Sequence, residues 1–169
     1  MKKIILSVIM LVGLAFTAQA QDISKNALGL RLGDNNGFGG ELSYQRALGS
    51  NNRLELDLGW RNRTNYNKDG YDDNAIKIAA LYQWVWNIDG GFNWYAGIGG
   101  GLGSDNRDYY DNRNYDNGVF AFAAGDIGIE YNFDIPLLIS LDFRPEFGSN
   151  TYYKNNYGSD VALGLRYQF

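Results

Sequence analysis

The last ten residues, Asp160 to Phe169 (DVALGLRYQF), alternate between two kinds of position. Successive side chains of a β-strand point to opposite faces. Val161, Leu163, Leu165, Tyr167 and Phe169 therefore share one face, and Ala162, Gly164, Arg166 and Gln168 the other. A helix cannot place a two-residue repeat on one side, because its faces recur every 3.6 residues. Seven earlier stretches show the same alternation, so the chain is bound to an all-β solution.

Those stretches are residues 27–33, 38–48, 53–63, 74–88, 92–103, 119–133 and 137–147. The third is the clearest, with Leu54, Leu56, Leu58 and Trp60 opposite Glu55, Asp57, Gly59, Arg61 and Arg63. DNNG at 34–37, GSNN at 49–52, DGG at 89–91 and DIP at 134–136 are tight-turn signals. Between them lie longer polar segments at 64–73, 104–118 and 148–159. Short turns alternating with long polar loops are the pattern of a transmembrane barrel, with its turns in the periplasm and its loops outside. The expected fold is an all-β, eight-stranded antiparallel up-and-down transmembrane β-barrel. DNNG departs from the pattern as a short first outer loop.

A soluble barrel also alternates, so the composition of each face has to decide. The apolar face is Leu, Ile, Val and Ala at strand centres. Trp84, Trp86, Trp94, Tyr131, Phe133, Tyr167 and Phe169 crowd one end, as in an interfacial girdle. The opposite face carries Glu41, Glu55, Asp57, Asp126, Glu130, Asp142 and Glu146 against Arg31, Arg61, Arg63, Lys77, Arg144 and Arg166. Buried charges must be paired or they cost several kcal/mol each. Near-balance of sign is what a packed polar interior requires, and eight strands leave just enough width for side chains to fill. The reading is a charge-filled, plugged lumen, with an ion path through it as the alternative.

Local features sharpen this picture. Leu-Gly-x-Arg occurs at 28–31, 58–61 and 163–166, placing Gly and Arg on the inner face where a guanidinium can lie over the glycine. Gly97, Gly99, Gly101 and Gly103 form a lane expected to accommodate Phe120 and Phe122, or else to kink the strand. Pro145 has no N–H for a closed ladder, so a bulge or the end of pairing is expected there.

The N-terminus begins with Lys2 and Lys3, continues through an apolar run at 4–16 and ends in Ala18-Gln19-Ala20. That is the form of a secretory signal peptide, and the run is shorter than a membrane-spanning helix requires. Residues 1–20 are assigned to the signal and 21–169 to the barrel. Without Lys2 and Lys3 the chain is more acidic than its formal −4, and no basic stripe marks it for nucleic acid.

Catalysis finds little purchase. The chain has no His and no Cys, so a Ser–His or Asp–His pair, a disulfide and a thiolate metal site are all excluded. Glu55 with Asp57, and Asp126 with Glu130, share faces and would serve glycoside chemistry only in an accessible cleft. No enzyme activity, cofactor or metal is expected. The outer loops share a Tyr/Asn/Asp vocabulary suited to binding. Their Asp and Asn oxygens lack the spacing of a calcium loop. Tyr109, Tyr110, Tyr115, Tyr152 and Tyr153 are the loop candidates.

Taken together, the AQA site, the terminal Tyr167 and Phe169 and the eight-strand rhythm resemble the small outer-membrane barrels of the OmpA-transmembrane and OmpX-like group. The resemblance covers residues 21–169. It implies a location in the Gram-negative outer membrane, contact with its lipid, and Leu165, Tyr167 and Phe169 as an assembly signal for the barrel-assembly machinery. No peptidoglycan-binding domain is expected past the last strand, which is closer to the OmpX-like pattern. The implied role is non-catalytic, structural or adhesive through the extracellular loops, with an extracellular ligand or an outer-membrane protein as partner. A narrow porin-like channel for small solutes and an accessory subunit of a larger outer-membrane complex are the alternatives.

Overall fold

Each alternating stretch forms a strand, and each strand pairs with its neighbours in sequence. The structure is a computed structural model that describes residues 23–35, 38–65, 71–109, 115–149 and 156–169. The expected signal at 1–20 lies outside the described residues. The strands are β1 (Asn26–Asn35), β2 (Phe38–Ala47), β3 (Asn52–Asn65), β4 (Tyr71–Asp89), β5 (Phe92–Tyr109), β6 (Tyr115–Asn132), β7 (Leu137–Ser149) and β8 (Tyr157–Gln168). All pairings are antiparallel, and the order runs β1 to β8 in a closed barrel. The closing seam pairs Ala27 with Gln168 through Leu32 with Leu163. Closure satisfies the backbone groups that an open sheet would leave on its edges.

Three tight turns gather at the end where the chain enters and leaves. Leu48 N–H donates to the Asn52 carbonyl at 2.8 Å, and Phe133 N–H to the Leu137 carbonyl at 3.1 Å. Gly90, in the Asp89-Gly90-Gly91 turn, has φ +52°, a conformation that glycine adopts without a Cβ penalty. Asn26 and Phe169 exchange backbone hydrogen bonds of 3.0 and 2.9 Å at this turn end.

The barrel is inverted relative to a soluble one. Leu30, Leu42, Ile78, Ile98, Ile127, Leu141 and Leu163 are exposed on the outside. Arg31, Glu41, Glu55, Lys77, Arg144 and Arg166 are each at most 1 % exposed inside. Alternation thus puts apolar side chains out and gathers the ionic ones inside.

Two expectations need correction. The strands run further into the polar segments than residue type suggests: β4 begins at Tyr71, β5 ends at Tyr109 and β6 begins at Tyr115. Cross-strand pairing supports polar residues in a ladder that their propensity alone would assign to loop. Pro145 produces neither a bulge nor a strand end. It pairs with Ser159 on β8, while on β6 the ladder lapses between Ala124↔Glu146 and Ile127↔Phe143 with the register unchanged. Opposite the proline stands Gly125, where even a Cβ would come within 3.3 Å of the ring. The missing side chain makes room for the proline, so the strand passes without slipping.

The pairing of β3 to β6 continues past its neighbours at the loop end. β2 leaves β3 after Glu41↔Gly59 and β7 leaves β6 after Ala121↔Ser149. The ladders inside the four-stranded group continue to Asn65↔Tyr71, Tyr71↔Tyr109 and Asp108↔Tyr115. A short sheet therefore rises above the rim on one side of the barrel.

Candidate functional site

Inward positions of β7, β8 and β1 to β3 build an ionic network across the lumen. Arg31 on β1 donates to Asp142 on β7 at 3.0 Å through Nε and 2.5 Å through Nη2. Its Nη1 lies 3.1 Å from Glu41 and 2.8 Å from Asp160. Arg144 reaches across from β7 to Glu55 and Asp57 on β3, at 2.6 and 2.7 Å. Lys77 holds Glu41 at 2.8 Å and Glu146 at 3.1 Å. Arg166 donates to Ser43, Ser140 and Glu55 at 3.0, 2.8 and 3.1 Å. Planar guanidinium groups suit this work, because their several donors satisfy two or three acceptors at once.

Near the turn end the network becomes partly neutral. Arg53 Nη1 lies 2.7 Å from Glu130, and its Nε donates to Gln83 at 2.6 Å. Gln83 in turn donates to Asp126. The Arg53 guanidinium also sits 4.7 Å from the Tyr95 ring centroid, a cation–π contact. A cavity of about 10 Å³ below, lined by Ser24, Gln45, Arg53, Glu130 and Gln168 among others, is no larger than one water molecule needs.

The other wall, β4 to β6, is filled by carbon. Ala79, Leu81, Phe120, Phe122 and Ala124 form one buried cluster. The rings of Phe122 and Phe120 occupy the space over Gly101 and Gly103, as the glycine lane predicts. β5 shows no register shift along that lane, so the kinked alternative is not what the glycines do. Lys77 links the two walls, lying 5.2 Å from the Phe38 ring and 5.6 Å from the Phe122 ring.

Of the inner charges read from the sequence, Arg31, Glu41, Glu55, Asp57, Arg61, Lys77, Asp126, Glu130, Asp142, Arg144, Glu146 and Arg166 are all buried inside the barrel. Arg63 lies on β3, with its side chain outside the described residues. Two members were missed, Arg53 and Asp160, one of each sign, buried at 4 % exposure each. Strand parity places both on the inner face, and their position at the start of an alternating stretch concealed them. The glycine of Leu-Gly-x-Arg hosts a guanidinium only at Gly164, beside Arg166. At Gly59 the space is taken by Phe38 and Glu41, and at Gly29 by the backbone of Leu165 and Arg166.

The aromatic girdle gathers beside the turns. Trp86 stacks on Trp94 at 4.3 Å, Tyr82 meets Trp84 edge-on at 4.9 Å, and Tyr131 contacts Phe92 at 4.6 Å and Phe133 at 4.7 Å. Tyr167 and Phe169 stand outward with them at 60 % exposure each, as does Leu165 at 48 %. A second, smaller set lies towards the loop end: Trp60, Phe147 and Tyr157, the last two 5.2 Å apart. Among the loop candidates, Tyr109 and Tyr115 are strand residues of β5 and β6 rather than loop residues. Tyr110, Tyr152 and Tyr153 lie outside the described residues.

Among the described residues no group of three His, Cys, Asp or Glu is placed to hold a metal ion. No family model matches the sequence, and no curated protein matches it. Solved structures do match in shape. The chain is similar to Neisserial surface protein A, with 14% identity and a TM-score of 0.60, covering 85% of this chain and 94% of that one. It is similar to Ail, the attachment invasion locus protein of Yersinia pestis, at 15% identity and TM-score 0.56, covering 86% and 97%. The N-terminal β-barrel domain of Pseudomonas aeruginosa OprF matches at 13% identity and TM-score 0.58, covering 88% and 100%. This chain thus has the fold of the small eight-stranded outer-membrane β-barrels of the OmpA-transmembrane and OmpX-like group.

Proposed function

We propose that this protein is a non-catalytic barrel of the Gram-negative outer membrane, exported by its residue 1–20 signal, with a plugged lumen and a structural or adhesive role at the cell surface. The observation that carries this reading is the inversion of the barrel, with leucines and isoleucines outward and ion pairs sealed within. In water that outer face would be an apolar patch far beyond what a monomer exposes, whereas in a bilayer it meets hydrocarbon. Arg31 and Arg144 each span the lumen to acceptors on other strands, which supports a filled interior over a solute channel. Outer-membrane lipid and the barrel-assembly machinery, engaged through Leu165, Tyr167 and Phe169, are the proposed partners.

Binding, in this reading, falls to the outer loops and the raised sheet of β3 to β6. The Ail structure with a heparin analogue, sucrose octasulfate, makes a polyanion the obvious candidate ligand. The charge here argues otherwise. Arg63, Lys68, Arg107, Arg113 and Lys154 are outnumbered by Asp34, Asp69, Asp72, Asp73, Asp105, Asp108, Asp111 and Asp116. A neutral or basic extracellular ligand, or another outer-membrane protein, suits these loops better.

Two measurements test the proposal. Folded into a planar bilayer, the protein should show no stable conductance steps, and steady steps would favour the channel. Replacing Tyr109, Tyr110, Tyr115, Tyr152 and Tyr153 with Ser should abolish surface attachment without unfolding the barrel, and undiminished attachment would remove the loops from the proposal.

A further inference from the structure

Pro145 keeps its bridge to Ser159 on β8. In an antiparallel ladder a residue turns its N–H and C=O towards the same neighbour, and proline has no N–H. The bridge that survives on the β8 side is therefore one that does not use the Pro145 nitrogen, which points to β6. There the ladder keeps Ala124↔Glu146 and Ile127↔Phe143 and loses the two positions between them. By the unchanged register, those are Gly125 facing Pro145 and Asp126 facing Arg144. The Gly125 carbonyl is thus left without its ladder donor.

Two side-chain atoms at the same break also lack partners. Asp126 and Arg144 are both buried on the inner face. One Asp126 oxygen accepts from Gln83 on β4, and the other, Oδ1, meets no donor among the described residues. Arg144 sends both terminal nitrogens across the lumen to Glu41, Glu55 and Asp57, and its Nε meets no acceptor among them. Starting face to face, the two side chains leave for different strands, and the ground between their stems is taken by neither.

We propose that this break is a binding site for one water molecule, which accepts from Arg144 Nε and donates to Asp126 Oδ1 and the Gly125 carbonyl. The unmet groups are one donor and two acceptors. Water offers two donors and accepts in return, and a buried water makes about three hydrogen bonds. A cation would satisfy both oxygens but meet the Arg144 guanidinium, and an anion would meet the Asp126 carboxylate. The Pro145 ring lies over Gly125 and covers the break from outside, so the water enters from the lumen. An unmet backbone carbonyl is costly in a wall that faces lipid, which is why the site stays filled. The inference goes beyond the plugged-lumen reading by making the broken ladder a hydrated site.

The test uses the full barrel, labelled with nitrogen-15 and refolded in dodecylphosphocholine micelles. The Arg144 Nε–H proton should show cross peaks to the water line of opposite sign in NOESY and ROESY spectra, the mark of a bound water rather than of proton exchange. A visible Nε–H signal without them would overturn the proposal. Asp126→Val removes one acceptor and should abolish the cross peaks, and their survival at full intensity would also overturn it. If that variant does not fold, Pro145→Ala supplies the missing N–H to Gly125 and leaves both side chains in place. One water should then exchange about fivefold faster in oxygen-17 relaxation dispersion, the factor for losing roughly one hydrogen bond. An unchanged rate would take Gly125 out of the site and overturn the three-cornered arrangement.

Discussion

The two walls of the lumen fill the same cylinder by opposite means. On β4 to β6, glycines give up their side chains so that Phe120 and Phe122 can occupy the interior. On β7, β8 and β1 to β3, long cationic side chains cross the space and end on carboxylates. Carbon packing needs no partner beyond shape. Ionic packing needs every partner, because charge taken from water is recovered only by pairing. The ionic wall should therefore be the more fragile to single changes, although its gross interactions are stronger.

The largest effect expected from that difference is at Arg144. Arg144→Met takes from Asp57 the guanidinium that holds it at 2.7 Å and from Glu55 one of its two, leaving it Arg166, and should cost about 4 kcal/mol in urea unfolding from vesicles. On the carbon wall, Phe120→Ala leaves a cavity over Gly103 and should cost about 3 kcal/mol. The double variant should be additive to within about 0.5 kcal/mol, because none of the carboxylates that Arg144 holds belongs to the apolar cluster around Phe120. Marked coupling would show that the walls are not independent. The smallest effect is at Asp126, whose carboxylate accepts from the neutral Gln83. Asp126→Asn keeps an acceptor there and should change stability by less than about 1 kcal/mol. Asp142→Asn, facing the two donors of Arg31, should cost about 2 kcal/mol. Equal costs would mean that Asp126 belongs to the ionic wall after all.

The alternation was enough to read every strand and to place twelve buried charges on the inner face, because residues two apart along a strand share a face. It failed at edges. Arg53 and Asp160 stood where alternation starts, so no neighbour on one side fixed their parity. Tyr109 and Tyr115 looked like loop because their residue types are common in loops, yet pairing of Tyr109 with Tyr71 on β4 and of Tyr115 with Asp108 on β5 carries them in the ladder. Pro145 looked like a break because its missing N–H is local information, whereas the absent side chain of Gly125 opposite it is not. The second set of aromatics, Trp60, Phe147 and Tyr157, was not read as a group, and it is the register of β7 on β8 that brings Phe147 beside Tyr157.

Sequence alone determined that the chain forms strands, how many there are, and which residues share a face, since those follow from a period of two along one strand. Only the tertiary structure decided which carboxylate each guanidinium meets and which ring fills which glycine. Those depend on register between strands, where a shift of one residue turns every side chain to the other face, and register is fixed by closing the whole barrel at once.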